Sequence, residues 1–162
     1  METTRAKYDQ LIQDLRGELR PQREWCEGRG LFMVIGHFVV GVAGGTWLFS
    51  LLYGNRTGLA LAFVLGGLGG LLHLANLGHP GRAWKMMLQF KRSWISRGFF
   101  GLSFFLVGAF LYLVPQFAPG VLWGSDSLIA GLGNLLAILG MLTMIGYMGF
   151  VYTASKGIPF WN

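Results

Sequence analysis

Residues 58–77 read Gly58-Leu-Ala-Leu-Ala-Phe-Val-Leu-Gly-Gly-Leu-Gly-Gly-Leu-Leu-His-Leu-Ala-Asn-Leu77, twenty positions without Asp, Glu, Lys or Arg. As a helix rising about 1.5 Å per residue, this run spans roughly 30 Å, the thickness of a bilayer's hydrocarbon core. Similar runs occupy about 31–53, 98–118 and 128–153, and all 20 charged residues lie outside the four. None shows the polar face at helical spacing that a soluble four-helix bundle requires. The chain is 53% hydrophobic and 12% charged, where a soluble domain carries about 25% charge. The expected fold is an all-α integral membrane protein. Residues 31–162 form a four-transmembrane-helix up-down bundle, and residues 1–30 precede it as an amphipathic segment.

The basic residues set the expected orientation. Six fall within residues 1–30, five within 78–97 and one at Lys156, whereas the opposite side of the bundle has only Arg56. The positive-inside rule places both termini and the 78–97 loop in the cytoplasm. The net charge of +6 is therefore a signal of topology and lipid headgroups. No soluble basic domain exists to bind nucleic acid.

Around the spans, Tyr8, Leu11, Ile12, Leu15 and Leu19 share one face of a helix over residues 6–20, which Pro21 ends. That face is expected to lie on the bilayer surface. A second amphipathic segment, 81–96, turns Trp84, Met87, Phe90 and Trp94 toward the interface, where such rings are favoured. Gly41-x-x-x-Gly45 and Gly66-x-x-x-Gly70 are read as close-packing positions. Asn134 is read as interhelical glue. The single cysteine, Cys26, excludes an intrachain disulfide.

The spans contain no Asp or Glu, which disfavours ion- or proton-coupled export through an intramembrane carboxylate. Their polar side chains gather at the cytoplasmic end instead. His37 lies about two turns into the first span, and His73 about one turn from the end of the second. His79 follows in the loop, and Tyr147 and Tyr152 close the fourth span. His73 and Asn76, three apart, project from one helix face.

Such a site, with an apolar body and polar groups converging at one end, suits a quinone. Quinone reduction takes up two protons at carbonyl oxygens, and histidine is the side chain best matched to deliver them near neutral pH. With no acid deeper in the bilayer, protons are expected to exchange with the cytoplasm alone. This chain by itself should then move no charge across the membrane. A b-type haem held between His37 and His73 is the rival reading, though no second histidine pair exists. The plainer alternative for each histidine is a hydrogen-bonded packing residue.

Two further motifs carry a resemblance. Asn76-Leu-Gly-His-Pro-Gly-Arg82-Ala-Trp84 is followed by Ser93-Trp-Ile-Ser-Arg97, and the chain closes with Tyr152-x-x-x-Lys156-x-x-Pro159-x-Trp161-Asn162. Over roughly 24–162 the chain resembles the membrane anchor subunits of dimethyl sulfoxide and polysulfide reductases, the NrfD-like superfamily. The resemblance implies a subunit without haem that binds menaquinone or ubiquinone in a prokaryotic cytoplasmic (inner) membrane. It implies two partners, a ferredoxin-like iron–sulfur subunit and a molybdopterin catalytic subunit. The chain would be a non-catalytic or quinone-reactive part of that oxidoreductase complex. The expected quinone-binding residues are His73, Asn76, His79, Arg82, His37 and Tyr152.

The chain departs from the family in three ways. Asn76 stands where the pattern has His or Asp, so His73 is expected to take the proton-handling role. Gly98 stands where many anchors have Glu. Four helices match only the amino-terminal half of relatives with eight or more. Either the bundle is complete in itself or another membrane subunit supplies the remainder, and a multi-subunit complex is favoured. A structural anchor without a redox ligand is the alternative function.

Overall fold

The structure, a computed structural model, describes residues 2–18, 27–91, 93–118 and 120–151. All regular secondary structure among them is helical. Helix α1 (Glu2–Glu18) precedes four long helices, α2 (Gly30–Leu52), α3 (Arg56–Asn76), α4 (Trp94–Phe117) and α5 (Leu128–Phe150). A 3₁₀ segment, Pro80–Gln89, lies between α3 and α4. Each of the four is long and apolar enough to cross a membrane. Leu19, Pro21, Cys26 and the closing motif of 152–162 lie outside the described residues, as do the last residues of the expected fourth span.

Helices α3, α4 and α5 begin where capping side chains are, not where charge stops. The Asn55 side chain accepts from the Gly58 amide at 3.0 Å, and the Ser93 and Ser127 hydroxyls accept from the Ser96 and Ala130 amides at 3.3 Å. Each cap satisfies an amide that has no partner within its own helix. Ser93 therefore starts α4 four residues before the expected span, and takes Trp94 and Arg97 into its first turn. The expected amphipathic segment 81–96 is divided accordingly: the 3₁₀ segment ends at Gln89, and Trp94 belongs to α4. Between α2 and α3 the turn is only three residues long. It requires the left-handed backbone of Gly54, φ +62°.

The packing is inverted relative to a water-soluble domain. The interior is built on Ala43, Ala62, Ala109 and Ala137 around Trp47, Phe105 and Met141. Large apolar groups such as Phe38, Phe49, Val64 and Phe110 face outward and are more than half exposed. A soluble surface does not carry so much contiguous apolar area. In lipid, which is as apolar as leucine, the helices associate through close fit, and small residues mark the contacts.

The closest fit lies within two helical hairpins, α2/α3 and α4/α5, which pack more tightly within themselves than against each other. Along α4/α5 the backbones meet at Gly101, Gly108, Gly133 and Gly140. A methyl group added at Gly133 would stand 2.9 Å from the Gly108 carbonyl, and one at Gly101 would stand 3.0 Å from that of Gly140. The seven-residue spacing on each helix returns the glycines to one face. Of the pairs singled out in the sequence, Gly66 and Gly70 pack against Phe105 and Leu102 of α4. Gly45 faces open space, whereas a methyl group at Gly41 would stand 3.3 Å from the Met148 methyl and one at Gly44 would stand 3.2 Å from the Met141 sulfur. Asn134 does not show the expected tie: its buried Oδ1 has no hydrogen-bond partner among the described residues. Between the hairpins, the Trp47 and Phe105 rings meet edge to face, with centroids 5.2 Å apart.

Candidate functional site

A cavity of about 770 Å³ opens at the end of the bundle that carries the 3₁₀ segment. Volumes of this order are typical of small-molecule sites. Four of its walls are helices α2 to α5, and Met86 of the 3₁₀ segment closes part of the end. Most of the lining is apolar. The polar lining residues are His37 from α2, His73 and Asn76 from α3, Ser93 and Ser103 around α4, and Tyr147 from α5.

The three rings form a layer. His37 and His73 have centroids 4.8 Å apart and tilted by 52°, and Tyr147 stacks on His37 at 5.6 Å. Glycines make room for them. A methyl group at Gly36 would stand 2.8 Å from His73 Nδ1, and one at Gly98 would stand 2.6 Å from the Tyr147 ring. Gly98 thus makes space for a phenol.

Backbone carbonyls fix the histidine tautomers. His73 Nδ1 donates to the Gly69 carbonyl at 2.7 Å, and His37 Nδ1 donates to the Met33 carbonyl at 2.9 Å. A carbonyl can only accept, so each bonded Nδ1 carries a proton and the neutral ring has its lone pair on Nε2. His73 is half-buried and lines the cavity. Its Nε2 can therefore accept a proton without the ring turning or losing its bond to Gly69.

The Ser93-Trp94-x-Ser96-Arg97 motif joins the loop to α4 at the cavity's edge. Ser93 caps the helix and Ser96 is buried beneath it. Arg97 donates through Nε to the Phe90 carbonyl at 3.3 Å and through Nη2 to that of Lys91 at 3.1 Å. Its guanidinium lies over the Trp94 ring, 4.3 Å from the centroid, an attractive cation–π arrangement. The other partner of Trp94 is Phe150, stacked at 4.9 Å. The motif thus closes the chain end of the 3₁₀ segment and supplies Trp94 as a wall.

Of the six expected site residues, the structure brings three together at the cavity: His37, His73 and Asn76. His79 and Arg82 are exposed and do not line it. After Asn76 the backbone becomes extended at Leu77, with ψ 134°, and leads the loop away. His79 instead flanks the 3₁₀ segment, its carbonyl accepting from the Arg82 amide at 3.0 Å. Tyr152 lies outside the described residues. Tyr147 was not among the expected ligands, although its place near the end of α5 at the depth of His37 was a readable signal. Gly36 and Gly98 had no such signal, because their role lies in what another helix sets against them.

Comparisons of the chain with protein-family models, with curated proteins and with solved structures each find no match.

Proposed function

We propose that this membrane protein is the anchor and quinone-interacting subunit of an oxidoreductase complex, exchanging electrons between the quinone pool and an iron–sulfur subunit. The observation that carries this reading is the cavity itself, apolar along most of its wall and polar where His37, His73, Asn76 and Tyr147 converge. The motif resemblance to NrfD-like anchors supports the same reading. It adds the iron–sulfur and molybdopterin partners, and another membrane subunit to complete the helices. Charge distribution supports a cytoplasmic position for the cavity end and both termini.

Menaquinone or ubiquinone, when bound, supplies two-electron chemistry coupled to two protons at its ring oxygens. The residues fit that group. Asn76 can donate or accept through its amide, and Tyr147 has a phenol within the same layer. His73, held through Nδ1, takes or returns a proton at Nε2. His37 lies against it as the next basic group. The apolar walls exclude water from the ring and leave proton exchange to the open end.

Haem between the two histidines fits less well. Two histidines that held a haem would need room for the macrocycle between their rings. Here the two rings touch each other, with centroids 4.8 Å apart.

The test is purification of the tagged chain from its native membrane in mild detergent, with mass spectrometry of everything that accompanies it. A ferredoxin-like iron–sulfur protein and a molybdopterin enzyme are expected. Recovery of the chain alone from intact membranes contradicts the anchor reading.

A further inference from the structure

The cavity does more than surround a headgroup. It continues from the His73 layer toward the middle of the bundle between two facing stripes, Gly67, Leu71 and Leu74 on α3 and Phe99, Leu102 and Leu106 on α4. Each stripe recurs at three- and four-residue spacing and so follows one face of its helix. From His73 to Gly67 the stripe descends about 9 Å, at roughly 1.5 Å per residue. The trench lies where the two hairpins meet, and there α3 and α4 pack less closely than the helices within either hairpin. Leu71 lines the cavity and is also 65% exposed, and Ile95 is 53% exposed. These two side chains border the cavity and the lipid at once, so they mark a lateral mouth.

Gly67 lines this trench, and a methyl group added there would meet nothing within 4 Å. Its lack of a side chain therefore serves no helix contact, unlike Gly66 and Gly70 beside it. What it preserves is open volume along an apolar wall at hydrocarbon depth. A chain can lie there only if it is itself apolar and narrow, and it must be continuous with a group that ends at the polar layer.

We infer that the α3/α4 trench holds the polyprenyl tail of the quinone, which enters sideways from the bilayer, and that Gly67 and Leu106 set the room for it. The inference rests on the quinone reading and assigns a second, tail-specific part to the same site. Its residues determine selectivity for tailed ligands. They do not touch the redox-active ring.

The test compares two ligands with one naphthoquinone head, 2-methyl-1,4-naphthoquinone without a tail and its counterpart bearing four prenyl units. Binding to the full chain is measured in phosphatidylcholine nanodiscs, as the ratio of variant to wild-type affinity, which cancels partitioning into lipid. Gly67→Phe is expected to weaken the tailed ligand at least tenfold and leave the tail-less one unchanged. Leu106→Trp narrows the trench from the opposite wall and is expected to do the same. Gly131→Phe, at another glycine with open space around it, should change neither. Unchanged affinity for the tailed ligand in both wall variants overturns the inference, and so does an equal loss for both ligands. A wild-type chain that binds neither ligand contradicts the quinone reading itself.

Discussion

Gly36 is the surface on which the His73 imidazole rests. A methyl group added to Gly36 would stand 2.8 Å from Nδ1 and 2.9 Å from Cε1 of that ring. The contact crosses from α2 to α3 and leaves His73 one position in which Nδ1 can reach the Gly69 carbonyl. The orientation of the proposed proton-accepting nitrogen therefore depends on a residue with no functional group of its own.

Gly36→Ala is accordingly expected to act through His73. Pushing the ring aside breaks the 2.7 Å bond to Gly69 and should lower quinone affinity about tenfold, roughly 1.4 kcal/mol. The double variant with His73→Ala should bind no more weakly than His73→Ala alone, since interacting positions are not additive. Additive losses in equilibrium binding would show that Gly36 acts elsewhere.

The α4/α5 seam should tolerate no side chain. Gly140→Leu would drive atoms into the backbone of α4, because even a methyl there stands 2.6 Å from the Gly101 carbonyl. Overpacking costs about 1–3 kcal/mol where neighbours can shift, and backbone shifts less readily than side chains. A large drop in thermal stability in detergent is expected. Gly131→Leu, where nothing lies within 4 Å, should leave the melting temperature unchanged.

Pro115 lies inside α4 and has no amide proton, so the Leu111 carbonyl lacks its usual helical donor. Trp123, from the loop that follows, donates its indole N–H to that oxygen at 3.0 Å. Trp123→Phe should cost on the order of 1 kcal/mol. In a Pro115→Ala background, where the helix supplies its own donor, the same change should cost less. A double-mutant cycle in reversible unfolding measures the difference.

Arg97 should hold the loop and not the span. Arg97→Gln removes a charged donor shared between the Phe90 and Lys91 carbonyls and the stacking on Trp94. Faster amide hydrogen exchange across 80–91 is expected, with protection in α5 unaltered. Equal loss of protection in both would assign Arg97 a global role.

The four membrane helices were legible in the sequence because length and apolar content alone decide whether a segment can cross lipid. Their starts were less so. Arg56 and Arg97 looked like boundaries because they are charged, but Asn55 and Ser93 set the starts by capping. The site was legible along single helices: the three-residue step from His73 to Asn76 does put both on the cavity. It was not legible across the extended residue Leu77, which carries His79 and Arg82 away. Nor was it legible across either hairpin, where the contacts of Gly36 with His73 and of Gly98 with Tyr147 depend on how one helix is set against the next. The glycine spacing of seven on α4 and α5 was readable, but shorter four-residue pairs drew attention to Gly45, which meets nothing.

The most direct test is to purify the chain, with whatever accompanies it, from quinone-replete membranes and measure quinone in a solvent extract. Near-stoichiometric menaquinone or ubiquinone is expected in the wild type. In His73→Ala, with an unchanged melting temperature, most of it should be lost. A wild-type preparation that contains no quinone and takes none up on re-addition would contradict the account.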